Sequence, residues 1–135
     1  MNTFRKTREI LNKYGLKTLS SDEDGYVDVY EGSAYKRDSS YHQGITWPWL
    51  LGLYYDALKN TMIIEKNRTK RQELEEKITK LVYTTKETFK AEMFERSSIG
   101  TISEIYDSTE PYEERGAFAQ AWSVAEIFRI VLNKR

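Results

Sequence analysis

The chain has no cysteine and one histidine, His42. The first absence excludes disulfides and thiolate metal sites, and the second leaves zinc or iron without a plausible ligand set. No metal and no other cofactor is expected. No apolar run approaches the roughly 20 residues that a membrane span needs. The opening M-N-T-F-R-K-T-R-E lacks the apolar stretch of a signal peptide. Neither sign of charge is in surplus, with 21 Lys plus Arg against 21 Asp plus Glu. That excludes nucleic acid as the main partner, because phosphate binding needs a clustered basic excess. Basic groups such as Lys66 to Arg71 alternate with glutamates, the pattern of a solvated helix face. The expectation is a soluble cytoplasmic domain of 135 residues, or a piece of a larger one, with no membrane partner.

Aromatic residues are plentiful by contrast: 10 Tyr, 5 Phe and 3 Trp. Tyr26, Tyr30, Tyr35, Tyr41, Tyr106 and Tyr112 fall outside any helical spacing. Rings with a polar tip suit half-wet surfaces, including the faces of sugar rings, and they serve equally as loop packing.

Taken in order, Thr3 to Tyr14 has the spacing of a short helix (Phe4, Thr7, Ile10, Leu11, Tyr14) with Gly15 as its C-terminal cap. Leu16 to Ile45 shows no sustained period, only turn chemistry at Ser20 to Gly25 and at Glu31-Gly32-Ser33, with room for a short extended segment at Tyr26 to Tyr30. So long a loop is more often functional than idle. Pro48 fits the first turn of a helix capped by Thr46 or Trp47 and running to about Lys59. That helix is apolar on most sides, which predicts burial among other helices. Met62 to Ile64 extends it or forms a connector. Arg68 to Glu95 predicts a long amphipathic helix: Leu74, Ile78, Leu81, Val82, Phe89, Met93 and Phe94 mark one face. Glu73–Lys77 and Glu76–Lys80 support the other. Ala117 to Leu132 predicts a second buried helix, with Gln120 and Ser123 on one face near its start. The sum is an all-α reading of about four helices joined by long loops.

Glu104 stands out within G-T-I-S-E-I-Y-D, among apolar and hydroxylic neighbours, with Arg96 and Arg115 the nearest basic residues in sequence. A turn-rich stretch punctuated by Pro111 and Gly116 follows, and then a helix whose first turns carry Gln120 and Trp122. A carboxylate at a helix entrance beside a Trp and a Gln suits sugar hydrolysis, but only with a second carboxyl and a saccharide pocket. A lone glutamate in a loop is more commonly just solvated.

Three longer stretches carry a family resemblance: G-L-K-T-L-S-S-D-E-D-G-Y-V-D-V-Y-E-G from Gly15, R-D-S-S-Y-H-Q-G-I-T-W-P-W-L-L-G from Arg37, and G-T-I-S-E-I-Y-D followed by R-G-A-F-A-Q-A-W-S-V-A-E from Arg115. They occur in this order in bacterial and archaeal glycogen debranching enzymes, which the chain resembles over its loops and apolar helices. The resemblance implies the C-terminal part of an amylo-α-1,6-glucosidase domain, so that residues 1–135 would form the last third of an (α/α)6 barrel. It also implies hydrolysis of the α-1,6-linked glucose at a trimmed glycogen branch, with inversion. Inversion uses a general acid and a general base whose carboxyls stand roughly 6.5–9.5 Å apart. By place in the motif, Glu104 corresponds to the general base. Tyr41, His42, Gln43, Trp47 and Trp49 would line the sugar pocket, and Gln120 and Trp122 would flank the base. Trp49 and Trp122 also suit plain core positions, and His42 a structural one. Thr46 and Ile45 depart from the residues usual in the family, Val and Thr respectively. The family's acid, an Asp, lies upstream of the matched stretches. The chain alone is therefore expected to be inactive, and its apolar helices to self-associate or to dock on the remainder of a barrel. The partner implied is an α-glucan, glycogen or limit dextrin. The alternatives are a glucan-binding module without turnover, or a split subunit completed by another polypeptide.

Overall fold

The computed structural model describes residues 10–96 and 100–132. Its first layer corrects the all-α expectation. Five very short strands pair in sequence order into one antiparallel ribbon: β1 (Leu11–Asn12), β2 (Gly15–Lys17), β3 (Thr46–Trp47), β4 (Ile105–Tyr106) and β5 (Glu114–Arg115). Each junction holds one or two residue pairs, Leu16 facing Trp47, Thr46 facing Tyr106, and Ile105 facing Arg115. The chain is therefore a mixed α and β structure, and the all-α partial barrel is set aside.

Polar side chains explain why the backbone turns into strands here. Asn12 Oδ1 accepts from the Tyr14 and Gly15 N–H groups at 2.9 and 3.1 Å, which closes the β1–β2 turn. A relay then crosses three segments. Asn12 Nδ2 donates to Thr46 Oγ1 at 2.7 Å, and Thr46 and Ser108 share a hydrogen bond at 2.6 Å. Ser108 donates in turn to the Gly44 carbonyl at 2.5 Å. Thr46 is wholly buried, so its hydroxyl sits where only a bonded polar group is tolerated. Gly15 is required by close approach: a Cβ there would overlap the Trp47 carbonyl of the neighbouring strand.

The helix expected over Thr3 to Tyr14 lies largely outside the described residues. Ile10 is helical, but Leu11 to Tyr14 form β1 and its turn, and Gly15 belongs to β2 rather than capping a helix. The long loop contains a helix that sequence periodicity misses, α1 (Ala34–Ser40), capped by the Ser33 hydroxyl, which accepts from the Lys36 N–H. Tyr26 to Tyr30 forms no strand; Val27 N–H bonds the Gln43 carbonyl at 2.6 Å instead.

Three longer helices pack pairwise: α2 (Leu50–Ile64), α3 (Arg68–Glu95) and α4 (Ala121–Leu132). Neither α2 nor α4 is buried all round. Helix α2 buries Leu51, Gly52, Tyr55 and Leu58 on one face, while Leu53, Ile63 and Ile64 are exposed. It begins after Thr46 and Trp47, which lie in β3, and continues past Asn60. Helix α4 begins at Ala121 rather than Ala117, because Gln120 N–H is taken by the Ile102 carbonyl at 2.9 Å. It buries Ser123, Ile127 and Ile130 and exposes Trp122, Phe128 and Leu132. Helix α3 has the predicted bounds. Asn67 caps it, accepting from Lys70 N–H at 3.0 Å. Its apolar face is as expected except Phe94, which is exposed.

The main core joins Tyr14, Leu51, Tyr55, Phe89, Ile102, Tyr106, Ile127 and Ile130. Tyr14 stacks on Tyr106 at 4.5 Å and meets Phe89 edge-on at 6.0 Å, so the ribbon is bonded to the helices through rings. A smaller cluster of Ile45, Trp47 and Ile105, flanked by Tyr30, Tyr41, Trp49 and Leu50, lies beneath the candidate site.

Candidate active site

Glu104 immediately precedes β4, and its carboxylate is clamped from two sides. Oε1 accepts from the Tyr41 hydroxyl, and Oε2 accepts from the Ala117 N–H at 3.0 Å. The Glu104 N–H answers by donating to the Ala117 carbonyl at 2.8 Å. Two segments distant in sequence thus converge on one side chain. A carboxylate has about four lone-pair positions, so two protein donors fix its orientation and leave capacity for a water. Burial, reinforced by the carboxylate it bonds, raises the Tyr41 phenol above its ordinary range. The hydroxyl therefore stays a donor at neutral pH.

The clamp depends on Gly116, which has φ +69°, and a Cβ there would strike the Glu104 carboxylate. Gly116→Ala is expected to lower stability by about 1–2 kcal/mol through backbone strain alone, as read by urea denaturation, and to displace Glu104 as well. Gly100→Ala is the control: φ is +85° with open space around it, so it carries strain without displacement.

Asp107 is buried, and all its bonding ties loops together. Arg115 Nε and Nη2 donate to Oδ2 at 3.0 and 2.8 Å, and the Tyr30 N–H donates to Oδ1 at 2.8 Å. It serves as a strut rather than as a group free to act on a ligand. Glu110 is exposed in the adjoining turn.

The aromatic residues form a continuous cluster. Tyr41 touches Tyr30, His42 and Trp47 at centroid distances of 5.6, 4.8 and 4.7 Å. His42 stacks on Trp47 at 5.4 Å with planes 10° apart, and Trp122 joins Trp47 at 6.2 Å and Trp49 at 5.9 Å. All three tryptophans of the chain therefore lie together. Their exposures separate their roles. Trp47 is 4% exposed and its indole N–H donates to the Tyr41 carbonyl at 3.2 Å, so it forms the floor. Trp122 is 47% exposed, Trp49 is half-buried and His42 is exposed, so these present faces to solvent.

Gln43 and Gln120 stand apart from this arrangement. Gln43 is exposed, and its backbone carbonyl and N–H are bonded to Val27 and Ser40. Gln120 Oε1 accepts from the Ala121 N–H at 3.1 Å, which occupies it at the start of α4. Among the described residues no bond joins either amide to Glu104. Sequence reasoning missed Gly116 and the Ala117 N–H, and a Gly directly before the helix approach was the available signal. Tyr30 was noted only as a loop aromatic.

A fixed, half-exposed carboxylate beside an indole platform is the kind of surface that glycoside hydrolases present to sugar. A family profile described as amylo-alpha-1,6-glucosidase matches residues 3–129. The chain belongs to that family, which is associated with glycogen debranching and glycoside hydrolysis. No curated protein matches the chain. No helix among the described residues is long and apolar enough to cross a membrane, and they include no cluster of three or more metal-ligating side chains.

Proposed function

We propose that this chain supplies the general base and part of the sugar pocket of an inverting amylo-α-1,6-glucosidase, and that it is inactive alone. The observation that carries the reading is the clamp on Glu104 beside the cluster of Tyr41, His42, Trp47, Trp49 and Trp122. The substrate is an α-glucan carrying a single α-1,6-linked glucose, and the setting is cytoplasmic. Trp49 and Trp122 stack on the sugar, and His42 bonds a hydroxyl. Gln43 and Gln120 lie at the rim and contact sugar only if their amides turn.

In the reaction, Glu104 takes a proton from the water that attacks the anomeric carbon. A donor on each oxygen holds the carboxylate in one orientation and leaves a lone pair free on each to accept from the water. The leaving oxygen needs a proton from a second carboxyl, roughly 6.5–9.5 Å from the first. Asp107, engaged with Arg115 and Tyr30, does not serve. The acid therefore comes from outside the described cluster. An apolar groove of about 170 Å³ between α3 and α4, lined by Phe89, Met93, Phe94, Ile127, Phe128 and Val131, supports docking onto another polypeptide or a second copy.

The test pairs turnover with binding. Neither the chain nor Glu104→Gln is expected to release glucose from a branched limit dextrin. Both are expected to show a saturable change in tryptophan emission with branched oligosaccharide, lost in Trp122→Ala. In an active assembly, Glu104→Gln lowers turnover by about 10²–10⁴-fold. Glucose release by the chain alone, abolished by Glu104→Gln, would place the acid within these residues and overturn the inactive-alone reading. Absence of any saturable response would remove the sugar pocket.

A further inference from the structure

Behind the ribbon, opposite chemistry is built into the helix layer. Glu92, near the end of α3, is 4% exposed. Its Oε1 accepts from the Tyr106 hydroxyl of β4 at 2.9 Å, and its Oε2 lies 3.6 Å from Arg96 Nε. The same Arg96 Nε stands 3.0 Å from Oε1 of Glu114, a residue of β5. The Arg96 Nη groups are occupied elsewhere, Nη1 donating to the Tyr14 hydroxyl at 2.8 Å and Nη2 to the Tyr112 carbonyl at 3.4 Å. Two carboxyl groups thus share one guanidinium nitrogen in a largely buried place.

We propose that Glu92, Glu114 and Arg96 form a proton-operated latch that fixes β5, and through it the clamp on Glu104, to the carboxyl end of α3. Charge counting gives the reason. With one proton on the pair, one carboxylate balances one guanidinium, and the neutral carboxyl can donate across to its partner. With both ionised, the cluster carries a surplus negative charge that burial penalises. Among the described residues, charged or titratable groups face it from each element packed around it. Arg96 comes from the end of α3, and Tyr14 from the β1–β2 turn. The Lys13 ammonium, from the same turn, lies 5.1 and 4.9 Å from the Tyr14 and Tyr112 rings. Tyr106 comes from β4, and Glu114 and Tyr112 from β5 and the turn before it. Burial raises both Tyr14 and Tyr106, so each remains a neutral donor across the range.

Geometry connects the latch to the site. Tyr106 pairs with Glu114 across β4–β5. Glu104 is two residues before Tyr106, and Gly116 and Ala117 follow β5 directly. The latch concerns anchorage of these loops and stands whether or not they handle sugar.

Burial, with the Glu114 carboxyl next, pushes Glu92 up to about 7, while Tyr106 and Arg96 pull it the other way. The folded chain therefore keeps a proton that the unfolded chain releases in the ordinary carboxylate range. The stabilisation is complete below that range and is lost as pH rises through about 7.

The experiment follows the whole chain from pH 5 to 8. The wild-type melting temperature is expected to fall by roughly 5–10 °C over this interval, and Glu92→Gln, whose amide keeps a donor and an acceptor, to remove most of the fall. Glu114→Gln tests the pair from its other side. Carboxyl-carbon NMR of the wild type reads Glu92 directly, with a midpoint near 7 expected, and the Ala117 amide resonance should move with that midpoint and stay put in Glu92→Gln. A Glu92 midpoint in the ordinary carboxylate range overturns the latch, as does an undiminished slope in a variant that folds. An Ala117 amide indifferent to the titration overturns its connection to Glu104.

Discussion

Asp107→Ala is expected to lower the unfolding free energy by about 3 kcal/mol or more, the largest loss at any polar side chain near the site. The carboxylate is 5% exposed at the side chain and takes two bonds from Arg115 and one from the Tyr30 N–H. Truncation strands a guanidinium and a backbone donor together, and the penalty of an orphaned group exceeds the net worth of the bond it made. Arg115 is 30% exposed, so part of its charge can be rehydrated. Asp107→Asn should fall between, since the amide oxygen still accepts one bond but carries no charge. Urea denaturation of the three proteins checks this. A loss below about 1 kcal/mol, the scale of a surface pair, would mean that Asp107 is not the strut described, and would return it to consideration as an acid.

Gly15→Ala should be at least as damaging, by about 3 kcal/mol, for a different reason. The added methyl would lie inside the carbonyl of Trp47, and a backbone group cannot swing aside as a side-chain tip can. Relief requires parting β2 from β3, which moves Trp47 and the floor of the aromatic cluster. The variant should melt earlier and emit differently in the native state. A protein with wild-type melting and emission would show that the two strands do not pack as closely as described.

The helices and the ribbon differ in how far the sequence exposes them. Helix α3 carries period and charge pairing over 28 residues, and its bounds follow from them. The strands are two or three residues each, too short for alternation to register, and their pairing rests on Asn12, Thr46 and Ser108, residues that local pattern cannot connect. Apolar faces misled in the other direction. Leu53, Phe128 and Leu132 belong to helices read as buried among others, yet these residues are exposed, because composition reports what a face could bury and not whether a neighbour covers it. Helix α1 has no apolar stripe, and only its Ser33 cap hinted at it.

At the site, Glu104 was singled out by its local setting and Tyr41 as a loop aromatic, their roles came from the family resemblance, and nothing in their chemistry alone linked them. The hydrogen bond between them spans 63 positions and has no sequence signature. Trp47 was expected to line the sugar pocket, and its burial places it beneath the exposed rings as a support. Gln43 and Gln120 shared motifs with the others, and motif membership does not say which way an amide points.

The ribbon also sets a timetable. Two of its pairings, Leu16 with Trp47 and Thr46 with Tyr106, join residues far apart in the chain and so close long loops. Contacts of high sequence separation are slow to form because chain entropy is lost before they can compensate it. During synthesis α2 and α3 can meet early, while Tyr41 waits for Glu104, and Glu104 for Ala117, to leave the ribosome. Until then the indoles of Trp47 and Trp49 stand uncovered, and a nascent chain stalled before residue 117 would be a better client for a chaperone than for a sugar.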